Sequence, residues 1–126
     1  MRASRSAYEE AEMAERRREA GTWLRHLRET RGFTQRQLAE RVGIEYYTFV
    51  SQIEAGRGRI PADRYQKWAD ALEIEQKIFV KKMLYFYEPI TYQILFGEYD
   101  EPAGQANVGE PLNLLTLPSN VLVMRP

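Results

Sequence analysis

Thr34-Gln35-Arg36-Gln37-Leu38-Ala39-Glu40-Arg41-Val42-Gly43 is the stretch whose reading decides the fold. Thr34 followed three residues later by Gln37 is a capping box, which starts a helix by satisfying two backbone N–H groups reciprocally. Leu38, Ala39 and Val42 then share one face, so the spacing predicts a short helix from Gln35 to Val42 with that face inward. Gly43 ends it, because glycine turns through the left-handed region without a side-chain penalty.

Upstream of this stretch, Trp23, Leu24 and Leu27 predict a helix from Thr22 to Arg31, closed at Gly32 in the manner of a C-cap. Before it, Ser6-Ala7-Tyr8-Glu9 is a second capping box that opens an Ala/Glu/Arg-rich helix running to Ala20. Glu12 and Arg16 at i,i+4 support that helix, its apolar face is thin, and Gly21 is expected to interrupt it.

Downstream, Val50 and Ile53, with Tyr46 or Tyr47 one turn earlier, predict a helix over about Tyr46 to Ala55, ended by Gly56. Residues 57–60 form a loop. Pro61 suits the first turn of the next helix, where Tyr65, Trp68, Ala69 and Leu72 recur at helical spacing. A helix from about Glu75 to Tyr87 is apolar over most of its circumference, and Pro89 separates it from a short helix, Ile90 to Phe96, that stops at Gly97. Residues 98–126 hold four of the six prolines and read as a flexible linker over 98–111. An apolar stretch, Leu112 to Met124, follows. The whole is an all-α chain, divided as an exposed helical extension (1–21), a core helical domain (22–74), a helical extension (75–97) and a Pro/Gly-containing tail (98–126).

Composition removes several classes of function. The 126 residues contain no cysteine and a single histidine, His26, so neither disulfides, thiolate sites nor a zinc site is expected. No nucleophile–base set or phosphate-cradling glycine loop is visible, and we expect no enzymatic activity and no cofactor or metal. Apolar runs are far shorter than the ~18 residues of a membrane span, and the charged N-terminus does not read as a secretory signal. A cytoplasmic, nucleoid-associated protein is expected. Net charge is zero, but its distribution is uneven. Residues 16–59 carry ten Arg against five Glu, whereas residues 61–126 carry six Lys/Arg against nine Asp/Glu. An arginine-only basic segment suits phosphate and base-edge hydrogen bonding, and equally suits a solvated mixed-charge surface.

Two short helices joined by a glycine-containing turn form the helix-turn-helix pattern, whose second helix enters the major groove with its first residues at base edges. Leu24-x-x-Leu27-Arg28, Arg31-Gly32-Phe33-Thr34-Gln35, Leu38-Ala39, Gly43, Ile53-Glu54-x-Gly56, Pro61 and Ala71-Leu72 occur in order. Over about residues 22–78 the chain resembles the lambda-repressor/Cro type of DNA-binding domain, the XRE family. The resemblance implies a five-helix lambda-repressor-like domain with a helical C-terminal extension. It places Gln35 and Arg36 at the DNA backbone and Tyr46, Tyr47, Thr48, Ser51 and Gln52 on the exposed side of the recognition helix. Thr48, Ser51 and Gln52 have the groups to bond base edges. The tyrosines suit phosphates or thymine methyls, unless one of them is core. Arg57 and Arg59 lie where the family contacts phosphates, and Arg28 and Glu54 match a family pair that forms an internal salt bridge. One departure concerns register. Twelve residues separate Gly43 from Gly56 where the family commonly has eleven, so either the turn is longer or the recognition helix starts one residue later.

Trp23 and Trp68 read as core, His26 as helix surface, and Arg16-Arg17-Arg18 as a solvated face paired with nearby glutamates. The aromatic run around Phe79, Met83, Phe86 and Tyr87 reads either as added core or as the interface of a homodimer. Leu112–Met124 reads as a docking peptide or as a loosely ordered tail. The expectation is a sequence-specific transcriptional regulator, dimeric on a palindromic operator and acting as a repressor, with double-stranded DNA as its partner. The alternative is an antitoxin that autoregulates and binds a toxin, its protein partner, through the C-terminal segment.

Overall fold

The helical periodicities of the sequence are realised as six α-helices in a computed structural model that describes residues 6–97. They are α1 (Ala7–Thr30), α2 (Gln35–Val42), α3 (Thr48–Glu54), α4 (Tyr65–Leu72), α5 (Gln76–Tyr87) and α6 (Pro89–Phe96), with one 3-10 turn, Ala62–Arg64, leading into α4. Among the described residues there is no strand, and no helix is long and apolar enough to cross a membrane. The tail expected at 98–126, including Leu112–Met124, lies outside the described residues.

Both capping boxes are formed. Ser6 Oγ accepts from Glu9 N–H at 3.1 Å while Glu9 Oε1 accepts from Ser6 N–H at 3.1 Å. Thr34 Oγ1 accepts from Gln37 N–H at 3.1 Å and Gln37 Oε1 accepts from Thr34 N–H at 2.8 Å. Helix α2 has the expected bounds, with Leu38, Ala39 and Val42 buried and Gly43 left-handed at its end.

The expected break at Gly21 is corrected by the structure. Helix α1 runs unbroken for 24 residues, so the stretch read as a separate extension and the helix after it are one element. Gly21 is buried and serves packing rather than termination. A Cβ at that position would clash with the backbone oxygen of Glu54 and lie 2.7 Å from that of Ile53. A Cβ on Gly56 would lie 2.8 Å from Cα of Arg18. The two glycines let the backbone of α1 rest on the C-terminal end of α3, closer than any side chain allows.

The described residues fall into two compact units, one up to Val80 and one from Lys81, divided inside α5. In the first unit Leu24, Leu38, Val42, Val50, Ile60, Trp68, Leu72 and Phe79 are buried. Burial of these side chains supplies roughly 1.5–3 kcal/mol each and is the main stabilising term of the unit. Phe79 belongs to it because its ring meets Trp23 at 5.8 Å and Tyr65 at 6.4 Å between centroids. Arg31, at the end of α1, ties down the end of α4: its Nε donates to Leu72 O at 2.7 Å and its Nη2 to Glu73 O at 2.9 Å. Glu73 itself holds the left-handed conformation that usually selects glycine (φ 59°).

The second unit is described over residues 81–97. Pro89 sits in the first turn of α6, where its missing N–H costs nothing. The Tyr92 ring meets those of Tyr85 (5.3 Å) and Phe96 (5.0 Å). Phe79, Met83, Phe86 and Tyr87, expected at a dimer interface, are all buried within a single chain. The apolar side chains exposed along α5 and α6 are Ile78, Ile90, Ile94 and Leu95.

Candidate nucleic-acid interface

Glu54, the last residue of α3, anchors the site. Its carboxylate receives Arg28 of α1 in a two-pronged pair, Nε to Oε2 at 2.7 Å and Nη2 to Oε1 at 3.0 Å. The two side chains are only 10% and 4% exposed. The third guanidinium nitrogen, Nη1, donates to Phe33 O at 2.8 Å in the loop before α2. Gln35, the first residue of α2, adds its Nε2 to Glu54 Oε1 at 3.0 Å. One carboxylate thus ties the first helix, the start of the second and the end of the third. Hydrogen bonding to Glu54 pushes the Arg28 pKa above its ordinary value, aided by the charges of Glu54 and Glu29 and opposed by burial. The guanidinium therefore stays charged in its buried setting.

The turn between α2 and α3 absorbs the extra residue between Gly43 and Gly56. Helix α3 begins at Thr48, with Tyr47 at its N-cap, two residues later than the expected Tyr46 start. Val50 and Ile53 are its buried side. Neither Tyr46 nor Tyr47 joins the core; they are 68% and 37% exposed. Thr48 and Gln52 are exposed, and Ser51 is half-buried. Phe49, which the sequence reading did not single out, is 62% exposed. Its position one past Thr48 and one before buried Val50 signals this, once the helix is known to start at Thr48 rather than Tyr46.

The remaining candidates surround this helix. Arg36, exposed on α2, holds its guanidinium 4.4 Å from the ring centre of Tyr47, an arrangement worth about 0.5–1 kcal/mol at an exposed site. It bridges the two helices and sets a positive charge beside the start of α3. After α3, Arg57 is exposed and its N–H donates to Gln52 O at 3.0 Å. Arg59 is half-buried, with Nη2 at 3.4 Å from the Tyr65 hydroxyl.

The basic segment is more structural than its charge count suggests. Arg18 pairs with Glu15 at 2.7 Å, Arg25 with Glu29 at 3.1 Å and Arg41 with Glu73 at 3.6 Å. With Arg28 and Arg31 these arginines serve the fold. Arg36 lies against Tyr47 at the start of α3, and Arg57 and Arg59 follow its end.

Two short helices at the front of a helical unit, locked by a shared carboxylate and presenting an open polar and aromatic face, have the shape of a DNA-reading element. No curated protein matches the chain. Residues 19–76 match the profile of a helix-turn-helix domain, a span that opens just before the Gly21 contact and closes at the first residue of α5. The helix-turn-helix family is thus matched by the segment that holds α2, the turn and α3.

Proposed function

We propose that the chain is a sequence-specific DNA-binding regulator of the XRE type, reading the major groove with α3 and repressing transcription from a palindromic operator as a homodimer. The observation that carries this reading is the exposed face of α3. Thr48, Phe49 and Gln52 stand in solvent, while Glu54 at the other end of the helix is fixed to Arg28 and Gln35. A helix so held presents its first residues to base edges and loses little freedom on docking.

Gln52 matches the amide that reads adenine through N6 and N7, and Thr48 and Ser51 carry hydroxyls that bond either base type. Arg36, Arg57 and Arg59 supply phosphate contacts that position the domain. Gln35 has one amide hydrogen on Glu54 and gives its second to a phosphate oxygen. Tyr46 and Tyr47 line the same approach. Dimerisation, if it follows the helical extension, uses the exposed Ile90, Ile94 and Leu95 of α6 rather than the buried residues of α5. The setting is cytoplasmic, with the protein on the nucleoid.

The test is selection from a random double-stranded DNA pool at near-physiological salt. An enriched two-fold symmetric site is the expected result, with half-sites about one helical turn (~34 Å) apart. A folded protein that enriches no site refutes the reading.

A further inference from the structure

Apart from Tyr8 and Ile78, the exposed large apolar side chains on the described residues gather in two places. One is α6. The other is the start of the recognition helix, where Tyr46, Tyr47 and Phe49 fall within four residues. Scattered exposed apolar residues need no explanation, but three together on the face that meets a partner do.

Their order along the helix is informative. Phe49 N–H donates to Tyr46 O at 3.1 Å, so Tyr46 lies one turn before Phe49. Gln52 lies one turn after it. Tyr46, in the turn before α3, and Phe49 and Gln52 on the helix therefore form an exposed stripe at three-residue spacing that flanks the buried Val50 and Ile53. Tyr47 is held apart from the stripe by the Arg36 guanidinium against its ring. Phe49 is the member of the stripe with no hydrogen-bonding group. In the major groove the apolar feature that distinguishes one base from another is a C5-methyl group, carried by thymine and by 5-methylcytosine.

We propose that Phe49 is a specificity-determining residue that reads a C5-methyl group in the major groove, with Tyr46 flanking it and Gln52 reading the neighbouring base. This rests on the DNA-binding reading above and deepens it: the preferred site contains a thymine whose methyl packs on the Phe49 ring. The exposed ring is otherwise a standing cost in water, which the methyl contact relieves.

The experiment uses the full chain and the DNA fragment recovered by selection. Each thymine is replaced singly by uracil, which pairs identically and lacks only the C5-methyl. At one or two thymines, affinity is expected to fall on the order of fourfold, the equivalent of one buried methyl-sized group. Phe49→Ala, an exposed substitution that leaves the core intact, binds the parent fragment more weakly by a similar factor. It is also indifferent to uracil at the contacted position. With cytosine or 5-methylcytosine placed there instead, the wild type favours the methylated base by the same factor, which separates the methyl from the thymine O4 acceptor. A wild-type protein insensitive to uracil at every position overturns the inference while leaving DNA binding standing. So does a Phe49→Ala variant that keeps the sensitivity. A selection that recovers no site overturns the functional reading first, and this inference with it.

Discussion

At the scale of single residues, Glu54 is the position on which most depends. Its carboxylate is the shared acceptor of Arg28 and Gln35, so Glu54→Ala leaves a buried guanidinium without its counter-charge and an amide without its acceptor. Removing one partner of a buried pair typically costs about 3–5 kcal/mol, and we expect a loss of that order in urea unfolding. Gln35→Ala, which removes one hydrogen bond and leaves the ion pair, is expected to cost about 1.5 kcal/mol. Equal losses for the two would show that the pair is not the dominant tie. On the open face, Arg57→Ala is expected to lower the salt dependence of DNA binding by about one unit for all sequences alike. Gln52→Ala should weaken binding to the selected site more than to random DNA, and equal weakening on both would remove it from base reading. The Arg28–Glu54 pairing was legible through the family resemblance. The exposure of Phe49 was not, because attention fell on Tyr46 and Tyr47 as the aromatic residues one turn before Val50, and the start at Thr48 leaves both outside the helix while Val50 and Ile53 remain its inner face.

At the scale of elements, α2 was readable to the residue because its signals were local: a capping box, a three-residue apolar face and a terminal glycine. Helix α1 was misread at Gly21 for the opposite reason. Glycine lowers helix propensity by about 1 kcal/mol relative to alanine, so on local grounds it marks a boundary. Its actual role, admitting the end of α3 to backbone distance, depends on residues more than thirty positions away. Gly21→Ala decides between the two effects. Propensity alone predicts a stabilisation of about 1 kcal/mol. The clash with Glu54 O predicts overpacking that outweighs it, for a net loss of about 1–2 kcal/mol. Gly58→Ala is the control, since a Cβ there meets nothing within 4 Å and the change should be neutral or mildly stabilising. A Gly21→Ala protein more stable than the parent would place the glycine outside any packing constraint.

At the scale of the whole chain, the aromatic-rich α5 shows what periodicity leaves open. Its composition demanded burial, and the sequence could not say whether by this chain or by a second copy. Phe79, Met83, Phe86 and Tyr87 are buried, and for Phe79 the cover comes from Trp23 and Tyr65, residues far away in sequence. If the regulator is a dimer, the exposed side chains of α6 are the place to break it. Ile90→Asp with Ile94→Asp is expected to leave the helical signal unchanged and to shift the mass in sedimentation equilibrium from two chains to one. It should also weaken binding to a two-fold site more than to a half-site. An unchanged mass at two chains would move the contact off α6. The unbroken α1 has one further consequence. A helix advances about 1.5 Å and turns about 100° with each residue, and α1 is gripped at Arg18 and Gly21 by the end of the recognition helix. Everything N-terminal to that grip is therefore a geared arm. Adding a single residue before Glu15 would swing the arm by more than a quarter turn about its axis, and the exposed face of α3 would not move at all.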